Sequence, residues 1–387
     1  MNVKLFSISL LTAGVLLASA SPASASGYTF TVLDTLGGRM GWGAGEVTGI
    51  NNFGQVVGWS NISGDSAFHA AIWNGTTPTD LGTLGGDYSR AMGINDSGQV
   101  VGWANTSDSK IHATIWNGTT PTDLGLGQAT GINDSGQVVG DYWDSGGGSH
   151  AAIWNGTTPT DLGTLGGDYS YALGINNSGQ VTGYSYTSGN AAAHATIWNG
   201  VTPTDLGTLA GNYSAAYGIN DSGQVVGWSR TSNHEVHATI WNGTTPTDLG
   251  TLRGGYSEAF GINDSGQVVG SSGNFNWESP FFWHATIWNG TTPTDLNNFL
   301  SVSDIHAGWV LLSATSINDN SAIIGMAINL FNFDLSRPYL LTPCDTCPIN
   351  DYDHIAPHVP EPEIYAMFMA GLGLMGFIAR RRKNGQA

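Results

Sequence analysis

Two stretches decide the fold: GINDSGQVVGW, Gly93 to Trp103, and HAAIWNGTTPTDLG, His69 to Gly82. The isoleucine of the first recurs at Ile50, Ile94, Ile132, Ile175, Ile219 and Ile262, and in weakened form at Ile317. The histidine of the second recurs at His69, His112, His150, His194, His237 and His284, spaced by 43, 38, 44, 43 and 47 residues. A chain of 387 residues would otherwise suggest two or three domains. A period of this length means one array of repeats instead.

Each repeat reads as four short strands. SRAMGIN, Ser89 to Asn95, is small enough for a crowded axis, and Asn95-Asp96-Ser97-Gly98 is turn chemistry. Gln99 to Trp103 is β-branched. His69 to Trp73 is a third strand, and Asn74-Gly75 is a strong hairpin signal. Thr77 to Leu81 is a fourth, and Pro78 consigns it to an edge. No window between the two ends carries a helical period. Four strands per roughly 43 residues predict an all-β, seven-bladed β-propeller, with GIN innermost and TPTDLG outermost. Six tryptophans, Trp73, Trp116, Trp154, Trp198, Trp241 and Trp288, are expected to fill the wedges between blades.

The ends fit each other. Thr31 to Gly38 aligns with Thr79 to Gly86, an outer strand with its crossover, but lacks a blade. Inner, second and third strands near Ser316, Ala322 and Pro338 lack an outer strand. The ring is therefore expected to close by an N-terminal outer strand on the last blade, which removes exposed edges. A β-solenoid is the alternative and needs no complementary ends.

Glycine reaches 56 residues and charged residues only 10%, while 40% hydrophobic content supports a core. Between Ser26 and Val359 six Lys/Arg oppose 27 Asp/Glu, about −21 in all. That charge argues against nucleic-acid binding.

Lys4, the apolar run Leu5 to Leu17 and Ala23-Ser24-Ala25 read as a secretory signal peptide over 1–25. At the other end stand Pro360-Glu361-Pro362, the uncharged run 364–379 and Arg380, Arg381, Arg382 and Lys383. Sixteen residues at 1.5 Å reach about 24 Å, short of a ~30 Å hydrocarbon core. This segment, 360–383, resembles the PEP-CTERM sorting signal. The resemblance implies recognition by exosortase, transient insertion in the inner membrane of a Gram-negative bacterium, and delivery to the envelope or an exopolysaccharide matrix. The repeats over 26–343 are similar to the HAF family of extracellular repeats. They keep DLGTLGG and GINDSGQVVG but carry Ala71, Thr114 or Thr196 where the family name places Phe. Residues 344–359 read as a linker.

The histidine of each repeat reads as structural, as do the turn residues Asp96, Asp134, Asp221 and Asp264. Asn177 replaces the aspartate in one copy, which disfavours a calcium role. The two cysteines, Cys344 and Cys347, read as a disulfide or a reactive pair. A C-x₂-C-x₆-H-x₃-H zinc set with His354 and His358 has too short a central gap. No metal or cofactor is expected.

Function is expected where the repeats differ. The connections from second to third strand vary, and alternation puts them on one face with Tyr88, Tyr169, Tyr213 and Tyr256. Tyr142, Trp143, Tyr186, Phe275, Trp277 and Trp283 decorate that face and suit sugar stacking. The short crossover Leu124 to Gln128 is expected to leave a notch there. The sequence thus points to a non-enzymatic exported surface or matrix protein that binds exopolysaccharide or envelope proteins. One alternative is a polysaccharide hydrolase or lyase, which needs two convergent carboxylates among Asp141, Asp144, Glu235, Glu258 and Glu278. Another is a purely structural surface protein with protein partners.

Overall fold

The computed structural model describes residues 27–38, 45–144, 146–252, 254–273 and 283–347. The signal-peptide segment and the sorting segment lie outside the described residues, as do Phe275, Trp277 and Glu278.

The fold is all-β, built from seven antiparallel units. In the second unit, Gly85–Ile94, Gln99–Thr106, Ile111–Asn117 and the first half of Thr120–Ile132 lie in sequence order from the inner edge outward. The register carries the expected pattern, with Trp103 opposite Ala113 and Trp116 opposite Pro121. The proline thus sits on the outermost strand, where a missing donor costs no ladder bond. The strands fall into sheets of 4, 7, 12 and 4 strands, and none closes on itself.

The second-strand glycine is dictated by its partner. Each inner strand changes register opposite it, between Ala91 and Gly93 in the second unit. A Cβ on Gly102 would collide with the carbonyl oxygen of Arg90. Only glycine lets the strand pass that bulge.

Each of the six tryptophans Trp73, Trp116, Trp154, Trp198, Trp241 and Trp288 is at most 1% exposed and packs between two consecutive units. Trp116 meets Val57, Ala70 and Leu81 of the unit before it, and Trp198 meets Val139, Ala151 and Leu162. Leu33, Val47 and Trp73 form the same kind of cluster with Ala322 and Ile324, which joins the first unit to the last.

The last unit consists of Trp309–Ile317, Ile323–Asn329, Asn332–Cys344 and, at its outer edge, the N-terminal strand Gly27–Val32. Phe30 pairs with Leu341 and Val32 with Tyr339. Its third strand is longer than the sequence suggests and runs through Cys344, into the segment read as linker. Cys344 is disulfide-bonded to Cys347. A disulfide offers no thiolate to a metal.

Two differences from the sequence reading stand out. A five-residue helix, Val302–His306, precedes the last unit, where no helical period is visible. Its signal is local: Ser301 and Asp304 form a capping box. The short crossover at Leu124 to Gln128 vanishes as a loop, because the outer strand of one unit continues into the inner strand of the next over Thr120–Ile132.

Candidate functional site: a pocket between the fifth and sixth units

The repeated polar residues resolve into structural devices. His69, His112, His194, His237 and His284 each place Nδ1 within 2.5–2.8 Å of the outer-strand aspartate eleven residues on. His150 lies 3.6 Å from Asp161, whose carboxylate accepts from the Tyr142 hydroxyl at 3.2 Å. The same aspartate accepts the backbone N–H two residues later, as Asp80 does from Gly82 at 2.7 Å. A fully engaged pair of this kind ties third strand, outer strand and crossover together.

At the other end of the units the turns are capped by asparagine rather than by the aspartate beside it. Asn95 Oδ1 accepts from Gln99 N and Ser97 Oγ, while Asn95 Nδ2 donates to Asn133 O of the next unit at 3.0 Å. The neighbouring carboxylate reaches across as well: Asp134 Oδ1 accepts from Asp96 N at 2.9 Å. Asn52 and Asn177 occupy the aspartate position in two units. Asn177 donates to both flanking carboxylates, Asp134 and Asp221, at 2.9 and 3.0 Å. Asparagine there relieves like-charge repulsion, so the variation at Asn177 has a structural cause.

Of the aromatics singled out on the variable face, Tyr142, Trp143, Tyr186 and Trp283 are described, and each is half-buried and engaged with a neighbour. Trp143 Nε1 donates to Asp141 at 2.7 Å, and Ser149 Oγ donates to the same oxygen at 2.8 Å. Burial pushes the Asp141 carboxyl up. Tyr142 stacks on His150, Tyr186 packs edge-on to Tyr169, and Trp283 packs edge-on to Tyr256 at 4.8 Å. Tyr142 and Trp143 belong to the third unit, Tyr186 to the fourth and Trp283 to the sixth. Asp144 accepts from Gly148 and Gly146, which holds its carboxyl low.

What the variable face does present is a pocket of about 590 Å³ lined by Trp228, Arg230, His234, Glu235, Val236, Gly255, Tyr256 and Glu258. That volume is ordinary for a small-ligand site. Trp228 and Arg230 project from the second strand of the fifth unit, Gln224–Thr231. The tight hairpin that follows is closed by Thr231 N to Glu235 O at 2.9 Å, with His234 in the left-handed region at φ 66°. Tyr256 and Glu258 come from the inner strand of the sixth unit, Tyr256–Ile262.

The walls are held in place. Trp228 Nε1 donates to Tyr217 OH at 2.9 Å, and Tyr217 stacks on Phe260 at 5.7 Å. Arg230 lies over the Tyr213 ring at 5.1 Å. The Tyr256 hydroxyl donates to Glu258 Oε1. Desolvation pushes the Glu258 carboxyl up, against the opposing effect of that hydrogen bond. Glu235 is exposed and lies against the opposite wall: a Cβ on Gly255 would fall 2.6 Å from its Oε1.

The equivalent space between the first and second units is filled. There the set is Trp59, Phe68, Tyr88 and Arg90. Phe68 stands opposite Asn61 just as Val236 stands opposite Arg230. The Phe68 ring packs at 4.9 Å from Trp59, 4.9 Å from Tyr88 and 6.0 Å from Trp103. Arg90 pairs with Glu46 beside Trp59. The space between units five and six keeps the tryptophan and the tyrosine but puts valine where the plug stands and a carboxylate where the arginine stands.

Glu235, Glu258 and Tyr256 are visible in the sequence as carboxylates and a crossover tyrosine. Trp228, Arg230, His234 and Val236 do not stand out there. Among the described residues there is no group of three or more His, Cys, Asp or Glu able to hold a metal, and no helix long and apolar enough to cross a membrane.

Comparison with known proteins identifies one segment. The PEP-CTERM protein-sorting motif matches residues 358–383. No curated protein matches the chain. A solved structure described as YCF48 bound to D1 peptide is similar at 11% identity and TM-score 0.45, covering 82% of this chain and 95% of that one. A mutant of AofleA from Arthrobotrys oligospora is similar at 9% identity and TM-score 0.38, covering 69% and 89%. The sorting motif carries a definite consequence: the protein is exported, handled by exosortase, and destined for the envelope or exterior of a Gram-negative bacterium.

Proposed function

We propose that residues 26–343 form a closed seven-bladed propeller of HAF-type repeats that acts, without catalysis, as a carbohydrate-binding component of the extracellular polysaccharide matrix. Closure is supported by the pairing of Gly27–Val32 with the last unit and by an unbroken circuit of asparagine bonds. The signal peptide at 1–25, the linker at 344–359 and the sorting helix at 364–379 complete the design. The observation that carries the binding role is the pocket between units five and six, with Trp228 and Tyr256 as aromatic walls and the glutamates as hydrogen-bond acceptors. Aromatic faces beside a few convergent polar groups are what sugar rings need.

Val236→Phe copies the first unit's plug and tests this directly. The variant should fold, reach the exterior and be lost from the matrix fraction of producing cells; full retention of a folded variant overturns the pocket as the binding site.

A second reading has one observation in its favour. Glu235 and Glu258, two of the five candidate carboxylates, line one cavity, and glycoside cleavage needs a convergent pair. Release of reducing ends from the native polysaccharide, abolished by Glu258→Gln, would make the protein a hydrolase.

A further inference from the structure

We infer that the pocket between the fifth and sixth units takes a saccharide bearing a free ammonium group, such as a glucosamine unit of a partly deacetylated amino-sugar polymer, with the ammonium seated between Glu258 and Glu235. This rests on the reading of the pocket as a carbohydrate site and names its ligand class.

Two carboxylates line one cavity, and among the described residues neither has an arginine or lysine partner. Arg230 lines the same cavity, but its guanidinium lies over the Tyr213 ring at 5.1 Å, and among the described residues it forms no ion pair with either glutamate. His237 approaches Glu235 only to 3.9 Å and keeps Nδ1 on Asp248 at 2.7 Å. In the second unit the inner-strand side chain at the position of Glu258 is itself a cation: Arg90 stands there and is neutralised by Glu46. The sixth unit has reversed the sign and supplied no counter-ion from its own described residues.

Glu258 is half-buried, and among the described residues its side-chain donor is the Tyr256 hydroxyl. A carboxylate desolvated in this way gains more from a cation than one in water. Trp228 and Tyr256 flank it, and an ammonium on a sugar ring placed between aromatic faces and carboxylates combines cation–π attraction with charge-assisted hydrogen bonds. The body's net charge of about −21 draws cationic polymers toward it from a distance. N-acetylation would remove the charge and leave the two carboxylates facing an amide.

Purified full-length protein would be titrated calorimetrically with glucosamine hexamer, N-acetylglucosamine hexamer and a neutral glucan hexamer, at one ionic strength. The glucosamine oligomer should bind at least about tenfold tighter than the other two. Glu258→Gln should erase most of that preference, and Val236→Phe should abolish binding altogether. If the acetylated or neutral oligomer binds as well as the glucosamine oligomer, or if Glu258→Gln changes nothing, the ammonium assignment fails while the carbohydrate pocket stands. If no oligomer binds, both readings fail. A lysine-rich peptide that binds with the same Glu258 dependence where sugars do not would replace the saccharide with a protein partner.

Discussion

Asn318 donates its side-chain amide to the backbone carbonyl of Asn51 at 2.9 Å, across 267 positions of sequence. The bond is the last of seven. Asn51 donates to Asn95, Asn95 to Asn133, Asn133 to Asn176, Asn176 to Asn220, Asn220 to Asn263 and Asn263 to Asn318. A parallel circuit runs one residue on, where Asp319 N donates to Asn52 Oδ1 at 2.9 Å and Asn52 N to Asp96 Oδ1 at 2.8 Å. Each amide is buried, so each bond replaces one that water would otherwise supply.

Asn318→Ala should therefore destabilise the protein although nothing near position 318 contacts the pocket. Loss of a buried amide that serves both its own turn and the next unit should cost roughly 1–3 kcal/mol. Chemical denaturation would measure it. A change below a few tenths would mean that the circuit is an ornament of packing.

Gly102→Ala should be worse. Its Cβ has no place beside Arg90 O, and the bulge in the inner strand cannot move without shifting Ala91 and Gly93. Losses above ~3 kcal/mol, or failure to accumulate, are expected. Gly75→Ala is the control: that glycine has open space but φ 76°, so only backbone strain of about 1 kcal/mol applies.

Glu258→Gln should stabilise the protein at neutral pH. Desolvation raises the folded-state pKa above the ordinary 4.5, so the unfolded chain releases its proton first. Wild-type stability must then fall as pH rises from about 4.5 through the folded value, and the deficit persists above it. The variant lacks that fall. The gap between the two proteins should be fully open at neutral pH and close as the carboxyl becomes protonated in both states. Paired denaturation curves across pH would show it, and a gap that does not depend on pH would refute the assignment.

His284→Ala should destabilise more than His69→Ala. Asp295 is the least exposed of the outer-strand aspartates paired to histidine, 22% against 43% for Asp80. Burial pushes its carboxyl up, but His284 and Asn297 together hold it below the usual value. That contribution is present above the unfolded pKa and lost as pH falls through the folded one. The acid limb of the stability curve should therefore shift for the His284 variant.

Much of the fold is legible in the repeat. Asn-Gly and Asn-Asp-Ser-Gly name the turns, Val-Val names the second strand, and the proline names the outer one. The complementary ends, Thr31 to Gly38 and Pro338 to Leu341, forecast the pairing of Phe30 with Leu341. The helix at Val302–His306 escapes notice because five residues show no period. The site is only partly legible. Exposed aromatics attract attention in a sequence, yet Tyr142, Trp143, Tyr186 and Trp283 each find a neighbour. The pocket is lined from positions that vary between repeats, and a variable position gives no motif.

The most direct measurement is calorimetric titration of purified wild-type and Val236→Phe protein with exopolysaccharide from the producing cells. The account predicts saturable heat for the wild type and none for the variant, with thermal midpoints that agree within a few degrees. Equal heats from both proteins, or no heat from the wild type, would contradict it.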